Sequence, residues 1–268
     1  MNVLVILGSP RKKDSYSICR EIENELKKQD SAIDLEYFQL SELNIKECKG
    51  CGLCFQKSEL LCPCREDDIE LVKEKMKSAD AIILSSPVYA YQVTGQMKKF
   101  IDRLSYLFHR QELCGKPALL VITTDGGGSK QVYQYLKMTA SGWAMNLIGN
   151  IAIISPRYFE NREPKGVFAY NKRIYERGQK KIKTISKKLY KEMSQHHKKV
   201  PTYYDILLFH CLRSKIYTSD TDRIYWEEKG WVKAPYFYEV HLNPIKRILG
   251  KVLKRFIDIL GKKISSKR

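Results

Sequence analysis

Five of the chain's eight cysteines lie close together, as Cys48-x2-Cys51-x2-Cys54-x7-Cys62-x-Cys64. A thiolate is a soft ligand, and four of them converging hold an iron–sulfur cluster or a zinc ion. Three cysteines at two-residue intervals are too tight for the separated knuckles of a zinc ribbon. They fit the compact spacing that wraps one cubane, with a fourth ligand arriving later. Gly50 and Gly52 relieve the backbone crowding that such wrapping imposes. Zinc binding and a set of free redox-active thiols draw on the same residues, so three chemistries stand open. Cys19, Cys114 and Cys211 are scattered. A cluster of this kind, in a chain of 268 residues, reads as metal or redox chemistry in a reducing compartment rather than a secreted disulfide framework.

A second chemistry is suggested by Gly8-Ser9-Pro10-Arg11-Lys12-Lys13-Asp14-Ser15-Tyr16-Ser17. A phosphate needs fixed donors, and a helix N-terminus offers free N–H groups with a favourable dipole. Ser9, Ser15 and Ser17 add hydroxyls, and Arg11 adds a charged planar fork. The segment is neither a P-loop nor a G-x-G-x-x-G turn, which weakens ATPase and ordinary dinucleotide-domain readings. An ordinary turn capped by Ser15 or Ser17 uses the same residues. Two further loops are rich in turn formers: Ser85-Ser86-Pro87-Val88-Tyr89 and Asp125-Gly126-Gly127-Gly128. Each alone reads as a strand end or a flexible turn. No Ser/His/Asp constellation is visible among the five histidines. The His196-His197 pair sits at a basic helix end, where it reads as a solvated terminus before a metal site.

The elements that must carry these loops follow from periodicity. Continuous apolar runs predict strands at Asn2–Leu7, Asp80–Ser85, Pro117–Thr123 and Ile148–Ile154, and alternation predicts one at Ile33–Leu40. Amphipathic spacing predicts helices at Ser17–Lys28, Asp68–Lys77, Gly95–Phe108, Ser129–Ala144 and Asn171–Lys191. Strands alternating with helices imply an α/β fold with a doubly wound five-stranded parallel sheet, and the flavodoxin-like order 2-1-3-4-5 is the expectation. Ligands of such sheets lie outside the carboxyl ends of the strands, at the switch between strands one and three. The three special loops follow strands one, three and four. The domain is expected over residues 1–197, with the cysteine-rich insertion at 48–64. Residues 198–268 form a basic, aromatic-rich extension whose rings need a place to be buried.

The Gly8-Ser9-Pro10-Arg11…Ser15-x-Ser17 loop resembles the signature of the NADPH-dependent FMN reductase family. Ser85-Ser86-Pro87-Val88-Tyr89, followed by Met97-Lys98-Lys99-Phe100-Ile101-Asp102-Arg103, is similar to that family's second loop and helix. The resemblance covers about two-thirds of the chain. It implies that Ser9, Arg11, Ser15, Tyr16 and Ser17 surround the FMN phosphate. It further implies that Pro87, Val88, Tyr89 and Ala90 lie along the isoalloxazine, and that Thr124, Asp125, Gly126 and Gly127 close the other side. Two residues depart from the pattern: Tyr16 stands where relatives have Asn, and Asp14 where a small residue is usual. Asp14 is expected to face solvent or cap the helix. The cysteine spacing is similar to that of the iron–sulfur flavoprotein branch. That likeness implies Cys48, Cys51, Cys54 and Cys62 as ligands of a 4Fe-4S cluster, with Glu66-Asp67 as the acidic pair following the last ligand and Cys64 as a spare thiol.

The resemblance implies an FMN-dependent NAD(P)H oxidoreductase in which no side chain acts as nucleophile. NAD(P)H or a ferredoxin-like carrier is the expected partner, and a homodimer or homotetramer the expected assembly. Two alternatives share the residues: a non-catalytic flavin and cluster carrier or redox sensor, and a flavin-free, zinc-stapled module. The net charge of +18 is unevenly placed, since residues 1–150 hold 20 basic and 19 acidic side chains and residues 151–268 hold 28 and 11. Basicity therefore speaks to docking by the C-terminal region rather than to chemistry. Residues 244–264 repeat Ile, Leu, Val and Phe at helical spacing, with Lys and Arg opposite. This helix either packs its apolar face on the domain or a partner subunit, or lies on an anionic membrane surface. Nucleic acid is disfavoured, because no binding motif accompanies the charge. Neither a signal peptide nor a membrane-spanning run is apparent, so the expected location is cytoplasmic, with peripheral membrane attachment as the alternative.

Overall fold

The computed structural model describes residues 1–154, 168–195 and 198–265. Five parallel strands form one sheet: β1 (Asn2–Leu7), β2 (Asp34–Gln39), β3 (Ala81–Pro87), β4 (Pro117–Thr124) and β5 (Asn146–Ile154). Their order is β2-β1-β3-β4-β5, the flavodoxin-like arrangement expected from the alternating sequence pattern. Successive side chains of a strand point to opposite faces. Leu4, Ile6, Ile82, Leu84, Leu120 and Ile122 thus fill one core beneath α3 (Ile69–Ser78), α4 (Gly95–Arg103) and α5 (Ser129–Gly142). Val3, Val5, Ile83, Leu119 and Val121 fill the other beneath α1 (Asp14–Lys27) and α6 (Phe168–Gln195). Register aligns the strand ends, with Leu7 beside Ser85 and Pro87 beside Thr123. The loops after β1, β3 and β4 therefore emerge side by side.

Two helix boundaries differ instructively from the sequence pattern. The helix expected from Ser17 begins at Asp14, with Lys13 as a cap that makes no side-chain bond. The serines that look like caps thus lie inside the first turn. The helix expected through Phe108 stops at Arg103, and a tighter turn of helix at Ser105–Phe108 follows. That turn presents His109 and Arg110 to the cysteine segment. His196 and His197 lie outside the described residues.

Beyond residue 198 come α7 (Tyr203–Arg213), α8 (Asp220–Glu228) and α9 (Pro244–Ser265). Phe209, Trp226, Trp231, Tyr236 and Phe237 pack ring against ring in a third core, which also takes in Ala144 of the sheet domain. Trp226 Nε1 donates to the His109 carbonyl at 2.7 Å. The extension's aromatics are thus buried largely among themselves and pinned to the domain by polar contacts. Among the described residues no helix is long and apolar enough to cross a membrane. The apolar face of α9 is not packed on the domain as one sequence reading has it: Ile245, Ile248, Val252 and Phe256 stay exposed.

Candidate functional site

A crevice of about 450 Å³ opens at the carboxyl ends of β1, β3 and β4. This is the switch point of the sheet, where the chain leaves β1 toward one face and β3 toward the other. Its walls are Ser9, Arg11, Lys13, Asp14 and Ser15 from the first loop, Pro87–Tyr91 from the second, and Thr123, Thr124, Asp125 and Gly127 from the third. The size lies within the range of small-molecule sites, roughly 300–1,000 Å³.

Each loop is stiffened by its own hydrogen bonds. Ser9 Oγ donates to the Arg11 carbonyl at 2.8 Å, which folds the loop over the start of α1. The hydroxyls of Ser15 and Thr123 share a buried bond of 2.7 Å, joining α1 to β4. Thr94 Oγ1 donates to the Gly8 carbonyl at 2.6 Å and accepts the Met97 N–H, so one side chain caps α4 and braces the first loop. Thr124 Oγ1 donates to the Gly127 carbonyl at 2.6 Å. Gly128 starts α5 at φ +78°, and a Cβ there would stand 2.6 Å from Val88 Cγ1. Only glycine lets the second and third loops approach so closely.

Tyr89 and Gln92 exchange backbone hydrogen bonds of 2.9 Å across Ala90 and Tyr91, both of which have positive φ. This is a tight turn of the mirror-image kind, built without the Gly or Asn that normally allows it. It holds two exposed tyrosines, Tyr89 and Tyr91, at the mouth of the crevice.

Most of the residues implied as cofactor ligands meet here: Ser9, Arg11, Ser15, Pro87, Val88, Tyr89, Ala90, Thr124, Asp125 and Gly127 line the crevice. Tyr16, Ser17 and Gly126 are not part of its lining. Because α1 begins at Asp14, the Tyr16 ring turns away to pack on Tyr37, with centroids 5.3 Å apart, and the Ser17 N–H already bonds the Lys13 carbonyl. Asp14 departs from expectation in the opposite sense. It does not cap the helix; it is half-buried on the crevice wall, with Oδ1 buried and without a hydrogen-bond partner. Lys13, Tyr91 and Thr123 join the lining without having been singled out in sequence. Thr123 ends an apolar strand just before the glycine turn, which is the one signal that pointed to it.

The cysteine segment forms a second cavity, of about 460 Å³, lined by Cys48, Cys51, Cys54, Cys62 and Cys64 together with Arg103 and Tyr106. Cys48 and Cys51 are exposed, Cys54 and Cys62 half-buried, and Cys64 buried. Among the described residues no three Cys, His, Asp or Glu side chains converge at metal-ligating geometry. The donor set nonetheless fits a thiolate-bound centre. Four accessible sulfurs share one cavity, and Gly50 and Gly52 take positive φ between them. Burial pushes the Cys54 thiol above its ordinary value; Cys48, Cys62 and Cys51 add to the effect, and Arg110 opposes it. A cationic centre would relieve that crowding of negative sulfur.

The loop itself has little regular structure beyond α2 (Leu53–Gln56), and it is held from outside. Arg103 pairs with Asp67, both side chains being almost wholly buried, and donates to the carbonyls of Lys46 at 3.0 Å and Cys64 at 2.9 Å. Burial alone would raise Asp67, but hydrogen bonds from Arg103 and from the Lys46 and Ile69 N–H groups hold it below its ordinary value. Arg110 donates to the Cys54 carbonyl and reaches Glu59 and Asp222. From the extension, Ser219 Oγ donates to the Phe55 carbonyl at 2.7 Å, and Thr221 Oγ1 to that of Lys57 at 2.8 Å. None of Arg103, Arg110, Ser219, Thr221 and Asp222 was marked in sequence as a site residue, because their partners are tens of residues away. The helix α4 connects the two cavities: its cap Thr94 braces the first loop, and Arg103 lies at its other end, about 13 Å along the axis.

Comparison with known proteins agrees with this geometry. A family model described as NADPH-dependent FMN reductase matches residues 1–160. An iron-sulfur flavoprotein of Archaeoglobus fulgidus is 28% identical over 242 residues, spanning 87% of this chain and 100% of the relative. A second iron-sulfur flavoprotein of that organism is 41% identical over 148 residues, 54% of this chain and 71% of the relative. Among solved structures, RosB with a bound 8-demethyl-8-formylriboflavin-5'-phosphate intermediate aligns with a TM-score of 0.55 at 12% identity, covering 91% of this chain and 92% of its own. At that identity the likeness concerns the fold.

Proposed function

Since this chain belongs to the NADPH-dependent FMN reductase family and is an FMN-dependent oxidoreductase, we propose that the β1–β3 crevice is its FMN site and the cysteine loop the site of a 4Fe-4S cluster. The observation that carries the reading is the junction of three loops, each implied by sequence for the same cofactor, at the sheet's switch point. Bound there, FMN would accept hydride from NAD(P)H, and the cluster would supply one-electron exchange with an acceptor such as a ferredoxin-like carrier.

The chain's own residues divide the work. Arg11, Lys13 and the N-terminus of α1 offer positive potential for a phosphate. Ser15, tied to Thr123, fixes the helix start against the sheet. Asp14 opposes an anion nearby, and its carboxylate, on the crevice wall, is suited to accept a hydrogen bond from a ribityl hydroxyl instead. Pro87–Tyr91 on one side and Thr124, Asp125 and Gly127 on the other form walls for a flat ring, leaving Tyr89 and Tyr91 exposed at the mouth from which a nicotinamide would approach. Cys48, Cys51, Cys54 and Cys62 are the ligands in this reading, and Cys64 is the spare: its thiol donates to the Glu47 carbonyl at 3.4 Å and its own carbonyl is held by Arg103.

The exposed aromatics at the crevice mouth support a homo-oligomer, dimer or tetramer, in which a neighbouring subunit covers them. Residues 1–197 form the redox domain, and residues 198–268 an extension that folds onto it and whose excess of basic side chains, 16 against 7 acidic, suits a docking role.

The test is reconstitution with FMN, iron and sulfide under anaerobic conditions. Arg11→Ala should weaken FMN binding while leaving iron content unchanged, and Cys48→Ser should lower iron and acid-labile sulfide while leaving FMN bound. Stoichiometric zinc in place of iron, or FMN binding indifferent to Arg11, would overturn the assignment.

A further inference from the structure

The orientation of α9 is the reverse of what a core-covering helix shows. It meets the rest of the extension through Gly250, Ile257 and Gly261, which are buried. A Cβ at Gly261 would stand 2.2 Å from the Tyr217 ring, and one at Gly250 would stand 3.3 Å from His210 Nε2. Asp258 anchors the same side, accepting from Arg213 at 2.6 Å and from the Tyr217 hydroxyl at 2.7 Å. The glycines permit an approach that larger side chains would block, so the helix cannot roll to bury its opposite face.

That opposite face is apolar and open. Ile245 is 66% exposed, Ile248 62%, Val252 60%, Phe256 59%, Ile259 50% and Leu260 43%. Their spacing places them in one stripe about 22 Å long. A contiguous surface of this kind marks an interaction site. Beside it lies a shallow depression of about 320 Å³, lined by Lys251, Lys254, Arg255, Asp258, Ile259 and Lys262. Ile259 belongs to both features, so a row of cations runs along the edge of the stripe.

We infer that α9 docks the molecule on an anionic bilayer, the stripe entering the boundary between headgroups and acyl chains and the depression receiving headgroup phosphates. Charge selects the occupant. Residues 151–268 hold 28 basic against 11 acidic side chains, so a second copy would bring like charge against like. A bilayer with anionic lipid offers both counterparts at once, an apolar layer and a sheet of phosphate at its edge. Lysine and arginine stems at the margin of such a stripe lie along the apolar surface and put their charges in the headgroup layer. The inference is independent of the flavin and cluster assignments, since none of these residues touches either cavity.

Flotation of the full chain with phosphatidylcholine vesicles, with and without phosphatidylglycerol, tests it. The protein should float with the anionic vesicles only, and less as salt rises. Val252→Glu/Phe256→Glu should abolish flotation. Lys251→Gln/Arg255→Gln/Lys262→Gln should reduce partitioning about a hundredfold, near fivefold per cation removed. These side chains are exposed, so the far-ultraviolet circular dichroism of all variants should match the parent. Absence of flotation, or equal flotation by the variants, would contradict the inference. So would a dimer, seen by sedimentation, that Val252→Glu/Phe256→Glu splits while no form binds vesicles.

Discussion

The crevice and the cysteine loop sit at opposite ends of α4 and are built by opposite means. The crevice stands on the ends of three buried strands, and its shape is set by the hydroxyls of Ser9, Thr94 and Thr124, which bond loop carbonyls, and by the bond between Ser15 and Thr123. The cysteine loop has only two short helical turns, Leu53–Gln56 and Glu59–Leu61, and owes its position to side chains outside it, Arg103 and Arg110 from the domain and Ser219 and Thr221 from the extension. A flat organic cofactor needs walls already in place, because its binding is a matter of fit. A thiolate centre supplies its own convergence, since binding free energy from metal–sulfur bonds draws ligands together. On the proposed reading the loop needs only to be tethered near enough, with its sulfurs accessible.

Breaking the tether gives the largest expected effect. Arg103→Met leaves Asp67 buried without its partner, which costs about 3–5 kcal/mol. Urea unfolding should register that loss, and limited proteolysis should cut between residues 46 and 66 first. Next comes the crevice wall. Gly128→Ala meets Val88 at a left-handed backbone position and should destabilise by about 2–3 kcal/mol, with FMN affinity falling in parallel in a fluorescence titration.

A third effect belongs to the extension alone. Burial, with the nearby Arg213 and Lys254 charges, lowers His210 from its ordinary 6.5 to about 4, against a smaller opposing pull from Asp258. Between those values the unfolded chain holds the extra proton. Stability should thus be full above pH 6.5 and fall, with the slope of one proton, as pH drops toward 4. His210→Leu should flatten that part of a pH series of thermal midpoints. The smallest effect sharpens the comparison: Ser15→Ala removes one buried hydrogen bond, about 1 kcal/mol, and should weaken FMN binding without altering iron content.

The sheet was legible because its strands are continuous apolar runs, and the crevice because three turn-rich loops follow three of them. The helix start at Asp14 was not, since Ser15 and Ser17 look like caps while Lys13 occupies the cap without a side-chain bond. Tyr16 and Ser17 lie outside the crevice lining for that reason. The turn at Ala90-Tyr91 carries no Gly or Asn to announce it. The clamp on the cysteine loop joins Phe55 to Ser219, 164 residues apart, and local pattern holds no trace of such a contact. In α9 the amphipathic spacing was plain, but which face turns inward rests on Gly250 and Gly261 meeting His210 and Tyr217.

The central claim is that this chain holds a flavin in the crevice and an iron–sulfur cluster in the loop. The visible absorption spectrum of the chain purified without oxygen tests it most directly. Two flavin bands over a broad cluster shoulder, with the flavin bleaching on addition of NADH or NADPH, is the predicted result. A colourless protein containing zinc, or flavin bands that neither nucleotide bleaches, would contradict it.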